Sequence, residues 1–193
     1  IFFFLLVRKL FDYRVALLSS AFLTVIPSTF LHRTTAGLSD KESLAVMLMF
    51  IAFYFYISAW KSNKIFKVIG FGIAAGVFTG FMGLVWSGFQ FLILIISTTV
   101  LIQIFLNKFY KKDLYIYISF FISLLLILII FPSRYTLMGL IFSPITNIIF
   151  LAFFVALFYF YIIKSNLFNL KDRFLKKYLN KLPEGLLSII IVS

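Results

Sequence analysis

The chain has 193 residues, 63% of them hydrophobic and 12% charged, with a net charge of +12 and no cysteine. That apolar share is far above the usage of an ordinary soluble domain. The missing thiols exclude disulfides, iron–sulfur clusters and thiolate zinc sites. The basic surplus raises nucleic acid as a partner, and the placement of the charges along the chain argues against it.

In chain order, apolar runs alternate with short polar breaks. Residues 1–7, IFFFLLV, read as the tail of a helix, and Arg8, Lys9 and Arg14 follow. A run over 15–31 contains Pro27 near its end, where proline kinks or stops a helix. Further runs cover 44–60, 68–85, 89–106, 114–131 and 145–163, each close to the roughly 20 residues that cross a bilayer core. Between the fifth and sixth lies Pro132-Ser133-Arg134. Residues 164–184 alternate Leu, Phe and Tyr with Lys and Arg at helical spacing, which predicts an amphipathic segment on the membrane surface. A fresh apolar run occupies 185–193. The expected fold is an all-α polytopic membrane protein. The whole chain is read as part of one transmembrane domain with about six complete helices. No signal peptide is visible. Starting on Ile1 and stopping inside an apolar run, the sequence reads as an internal portion of a larger protein.

If each run switches sides, the breaks sort by charge. The loops around Arg8, Lys61 and Lys108 and the segment 164–181 carry fifteen Lys and Arg; the opposite loops carry Arg33, Lys41 and Arg134. Short loops rich in Lys and Arg stay cytoplasmic. The polar stretch 32–43, the Trp86 break and the Arg134 loop are therefore expected on the extracytoplasmic side. The positive charge is a topology signal, not a nucleic-acid footprint.

The stretch HRTTAGLSDKES over 32–43 is the candidate site. It holds the only histidine, His32, and two of six acidic residues, Asp40 and Glu42. Carboxylates at a membrane boundary cost free energy unless paired or bound to a cation. Two of them one residue apart can offer oxygens to a hard ion such as Mg²⁺ or Mn²⁺. Glu42 has a competing role, because Ser39-x-x-Glu42 before an apolar run is a capping-box pattern; Asp40 is the firmer ligand. Arg33 could orient the carboxylates, meet an anionic substrate or simply pair with Asp40 or Glu42. His32 reads as an interfacial polar contact before a metal ligand. Trp86-Ser87-Gly88-Phe89 is a second outward break, its indole either an interfacial anchor or a substrate contact. Gly72, Gly76 and Gly80, four apart, predict close approach by another helix. The other acids, among them Asp113, stand singly among or beside basic residues.

Arg33, Thr34, Ala36, Gly37, Asp40 and Glu42 fill an R-[TS]-x-[AS]-G-x-x-D-x-[DE] element that resembles one in the catalytic subunits of oligosaccharyltransferase. Trp86, Ser87, Gly88 and Phe89 stand in that family's W-G-G-Y-like turn, departing at Ser87 and Phe89. The closing segment, LKDRFLKKYLNKLPEGLLSIII, is similar to archaeal members. The resemblance implies a partial GT-C-type helix bundle and transfer of an oligosaccharide from a lipid-(di)phosphate carrier to the side-chain amide of asparagine, metal-dependent and inverting. It implies Asp40 and Glu42 as ligands of Mn²⁺ or Mg²⁺ and Asp40, Glu42 and Arg33 as catalytic. Trp86, Ser87, Gly88 and His32 fall to the lipid-linked glycan. Partners would be the lipid-linked oligosaccharide, an acceptor protein with an asparagine sequon, and membrane lipid. The family's other motifs lie outside these 193 residues, so no activity is expected from this stretch alone. Two alternatives stay open: another GT-C glycosyltransferase using a lipid-phosphate sugar, or a non-enzymatic multi-span transporter.

Overall fold

A computed structural model of the chain describes residues 1–25, 41–131, 135–143 and 145–164. Every element among them is helical: α1 (Phe2–Leu10), α2 (Tyr13–Val25), α3 (Lys41–Lys61), α4 (Ile65–Val85), α5 (Phe89–Phe105), α6 (Lys111–Ile130), α7 (Leu137–Phe142) and α8 (Asn147–Phe158). A π-helical turn, Tyr159–Lys164, continues α8. Three helices, α3, α4 and α6, are long and apolar enough to cross a membrane; α2, α5 and α8 are shorter apolar helices. Among the described residues the chain is all-α, and its apolar helices are those of an integral membrane protein. All but the first residue of the segment expected over 164–184, the run over 185–193, and the end of the run containing Pro27 lie outside the described residues.

Polar residues at the apolar boundaries fix where helices begin and end. Asp12 accepts the backbone N–H of Val15 at 2.8 Å and so caps α2. The helix α3 starts at Lys41, three residues before its apolar run, and takes Glu42 into its first turn, where a carboxylate suits the positive end of the helix dipole. At the end of α5, Lys108 N–H reaches the Gln103 carbonyl at 2.8 Å and Asn107 N–H that of Ile104 at 2.9 Å. Asn107, between them, has φ 55°. This is a Schellman stop, with asparagine in the left-handed conformation that most side chains avoid. A short helix, α7, arises where the sequence suggested only a loop. Thr136 caps it by accepting the Gly139 N–H at 3.1 Å.

At the basic end, two lysines close the helices of their neighbours. Lys61 Nζ donates to the Lys9 carbonyl at the end of α1. Lys112 Nζ donates to the Trp60 carbonyl at the end of α3, at 2.7 Å. Each cation satisfies an orphan carbonyl and sits against the negative end of a helix dipole. The basic loops around Arg8, Lys61 and Lys108 are thus drawn together at one end.

The glycine seam of α4 packs on α6. A Cβ at Gly72 would strike Ser119, one at Gly76 would strike Ser123 and the Phe120 carbonyl, and one at Gly80 would lie 2.7 Å from Ile127. Both sides of the contact step by four residues, so the two backbones run closely along several turns. Ser119 and Ser123 turn their hydroxyls back onto carbonyls of their own helix, at 2.8 Å to Tyr115 and 2.7 Å to Ser119, so no polar group is stranded in the seam. On the other side of α6, the Tyr117 hydroxyl donates to the Ile149 carbonyl and meets Ser97 Oγ, both at 3.0 Å. That buried trio joins α5, α6 and α8. Phe121 and Phe153 stack beside it with centroids 4.2 Å apart.

Candidate functional site

The site is best built from the break between α4 and α5. Trp86 ends α4 in an extended conformation, φ −146° and ψ 134°, with its N–H on the Met82 carbonyl. The chain then turns at once. Phe89 N–H bonds the Trp86 carbonyl at 3.3 Å, Gln90 that of Ser87 at 3.2 Å, and Phe91 that of Gly88 at 3.1 Å. The sequence made this break too short to be a folded loop; it is a hydrogen-bonded start to α5. Gly88 has φ −63°, so no unusual dihedral demands glycine there. The demand is steric: the Trp86 indole lies against Gly88, and a Cβ there would come within 2.1–2.3 Å of three of its ring carbons. Trp86 is half-buried, Gly88 buried and Ser87 exposed. The indole is therefore held against the turn instead of extended into lipid.

Tyr135 holds this turn from outside. Its hydroxyl donates to the Gly83 carbonyl in the last turn of α4, at 3.0 Å. Its ring meets Phe89 edge-on with centroids 5.3 Å apart. One side chain thus ties the end of α4, the start of α5 and the connection after α6. Sequence reasoning passed over Tyr135, one of ten tyrosines in a chain that is 21% aromatic. The only cue was its position just after Pro132-Ser133-Arg134, in a break assigned to the same face.

Because α3 and α4 are antiparallel, the first turn of α3 with Glu42 lies at the same end of the bundle as the Trp86 turn. Glu42 is half-buried. Asp40, Arg33 and His32 lie outside the described residues. Among the described residues no three His, Asp or Glu side chains gather into a metal-binding group. The donor set inferred from sequence includes Asp40, so Glu42 alone of that pair has a position. A first-turn carboxylate, acceptor-only and near a helix start, has the right chemistry for a hard cation or for an amide N–H.

Gly88→Ala in the full-length protein is expected to cost about 1–3 kcal/mol, the usual penalty for overpacking. It should lower the midpoint of thermal unfolding in detergent, while Ser87→Ala, at an exposed position, leaves the midpoint unchanged.

Comparison with known proteins gives this geometry a context. The family described as "Oligosaccharyl transferase STT3, N-terminal" matches residues 1–176. The chain is 27% identical over 105 residues to the dolichyl-diphosphooligosaccharide–protein glycosyltransferase subunit STT3 of Saccharomyces cerevisiae, covering 54% of this chain and 14% of that protein. It is 26% identical over 117 residues to the corresponding subunit of Schizosaccharomyces pombe, covering 61% and 15%. The STT3A subunit of Oryza sativa subsp. japonica is 28% identical over 100 residues, covering 52% and 12%. These relatives are eukaryotic, and the matched stretch spans only about one seventh of the length of the yeast proteins. With the family matched over 1–176, the chain belongs to the STT3 oligosaccharyl transferase family, in its N-terminal part.

Proposed function

We propose that the protein containing this chain transfers an oligosaccharide from a lipid-(di)phosphate carrier to the side-chain amide of asparagine in acceptor proteins. The observation that carries the reading is the family match across residues 1–176, joined to the motif residues Arg33, Asp40, Glu42 and Trp86. A membrane-embedded bundle suits a donor whose anchor never leaves the lipid. The two described motif positions, Glu42 and the Trp86 turn, share one end of that bundle, and the lysine-capped ends occupy the other.

In this reading the end bearing Glu42 and Trp86 is extracytoplasmic and the lysine-rich end cytoplasmic. Asp40 and Glu42 would hold Mn²⁺ or Mg²⁺. When bound, such an ion supplies positive charge where a departing lipid phosphate becomes negative. The chain's own residues do the rest. A carboxamide nitrogen is a weak nucleophile because its lone pair is delocalised, and carboxylate oxygens accepting its N–H groups favour an amide rotated out of conjugation. Glu42 is suited to that task where it is not taken by the metal. Arg33 would neutralise or orient the acids. Trp86, Ser87, Gly88 and His32 would border the lipid-linked glycan, the indole offering a flat face to a sugar or an isoprenoid. Displacement by the amide nitrogen without a covalent enzyme intermediate would invert the anomeric centre.

The test is glycan transfer by the full-length protein from a lipid-linked oligosaccharide to a peptide with an asparagine sequon. A glycopeptide should form and should disappear when the acceptor Asn is replaced by Gln. Transfer to Ser or Thr instead would favour the other GT-C reading, and no transfer under any metal condition would overturn both. Orientation has its own measurement. Single cysteines introduced at Ser39 and at Lys64 are expected to react with an impermeant thiol reagent from opposite sides of sealed vesicles; same-side labelling would break the proposed topology.

A further inference from the structure

At the lysine-rich end, away from the Trp86 turn, three helices leave a cleft between them. It has a volume of about 120 Å³ and is lined by Tyr56, Ile57 and Trp60 of α3, Thr99 and Gln103 of α5, and Asp113 and Ile116 of α6, room for several water-sized groups. Asp113 is 7% exposed. One of its oxygens, Oδ2, accepts the Tyr110 N–H at 2.9 Å and so caps α6. The adjacent cation does not answer its charge, because Lys112 Nζ turns away to the Trp60 carbonyl. A carboxylate in so apolar a place calls for a cationic partner.

The surroundings say what kind of partner. Thr99 gives its hydroxyl proton to the Ile96 carbonyl at 2.7 Å, so its oxygen, with the Tyr56 hydroxyl and the Gln103 amide oxygen, offers lone pairs beside the carboxylate, a lining that suits a group with several N–H donors. Trp60 lies at the mouth, and an indole face attracts an ammonium. Beside the cleft, Lys112 Nζ stands at the carbonyl of Trp60, a lining residue, and Lys108 and Lys111 are its neighbours in sequence. That rim repels a simple cation and attracts a phosphate. A ligand that meets both conditions is a zwitterion, its ammonium inside and its phosphate at the rim. The cleft opens within about a turn of the ends of α3 and α5 and the start of α6, the level at which phospholipid headgroups lie.

We propose that this cleft binds the primary ammonium of a zwitterionic phospholipid headgroup, with Asp113 as its counter-charge and the neighbouring lysines against its phosphate. A quaternary headgroup has no N–H to give and is bulkier, so phosphatidylethanolamine is selected over phosphatidylcholine. The proposal does not depend on the glycosyltransferase reading, and its test does not use transfer activity.

The experiment is native mass spectrometry of the delipidated full-length protein in detergent, titrated with phosphatidylethanolamine, phosphatidylcholine or phosphatidylglycerol. The expected result is at least fivefold tighter retention of the ethanolamine lipid than of the choline lipid. In Asp113→Asn that preference should vanish, although asparagine can still cap α6 through its carbonyl oxygen, so the fold is retained. Gln103→Leu, in the part of the lining that α5 contributes, should reduce the preference in the same direction. Equal retention of the two zwitterionic lipids, or an undiminished preference in Asp113→Asn, overturns the proposal. Displacement of the lipid by equimolar free ethanolamine would assign the cleft to a soluble amine and overturn it as well.

Discussion

Asp40→Ala in the full-length protein is expected to lower metal-dependent glycan transfer by about 10²–10³-fold, the scale seen when one preorganised electrostatic group is removed from a reaction centre, while membrane insertion stays normal. The reason lies in how few acids the chain has. Of six, only Asp40 and Glu42 fall in the polar stretch 32–43, and Glu42 already sits in the first turn of α3. Removing Asp40 takes the stronger candidate ligand and leaves the helix intact. Asp40→Asn, which keeps the shape and loses the charge, should be nearly as inactive, and raising Mn²⁺ should restore part of the rate in Glu42→Gln before it does so in Asp40→Ala. Unchanged transfer in Asp40→Ala would falsify the metal role given to this residue.

The second large effect belongs to the α4–α6 seam. Gly76→Val is expected to abolish recovery of folded protein from detergent, or to lower its unfolding midpoint by many degrees. Gly70→Ala, on the same helix, should be neutral or slightly stabilising. At Gly76 an added Cβ meets Ser123 Oγ and the Phe120 backbone carbonyl, whereas nothing lies within 4 Å of a Cβ at Gly70. Overpacking ordinarily costs about 1–3 kcal/mol. Here the obstacle is partly main chain, which cannot move aside as a rotamer can. Between lipid-facing helices, moreover, close van der Waals contact is the main attraction, so forcing two backbones apart removes what holds them together. At Gly70 the swap only brings the gain in helix propensity of roughly 0.8–1.0 kcal/mol. A fluorescence thermal-shift measurement on the two variants, side by side, checks the contrast.

The glycine seam illustrates what the sequence could reveal. Gly72, Gly76 and Gly80 announce by their spacing that a helix comes close; they do not say which. Ser119, Ser123 and Ile127 become the partners only through the pairing of α4 with α6, and helix pairing leaves no local pattern in a chain so uniformly apolar. Trp86 and Gly88 stood out as a break in that monotony. The reason for glycine, the adjacent indole, is a side-chain placement that composition does not encode. Tyr135 was hidden because one tyrosine among many aromatics carries no signal. The short helix α7 was hidden because Pro132 and Pro144 enclose too few residues to show a period. Asp113 illustrates the opposite case: it stands beside Lys111 and Lys112 in sequence, yet the fold buries it and turns Lys112 to the Trp60 carbonyl. His32, Arg33 and Asp40, the residues with the most explicit chemistry, fall in 26–40, outside the described residues, and their assignment rests on motif alone.

Lys61 and Lys112 carry the kind of charge by which a nascent chain is oriented during insertion, and afterwards their ammonium groups fasten the ends of α1 and α3. Biogenesis and upkeep therefore draw on the same two atoms. Acetylating either lysine after assembly would leave the threading untouched, since that decision is already made, and would instead fray the adjoining helix end.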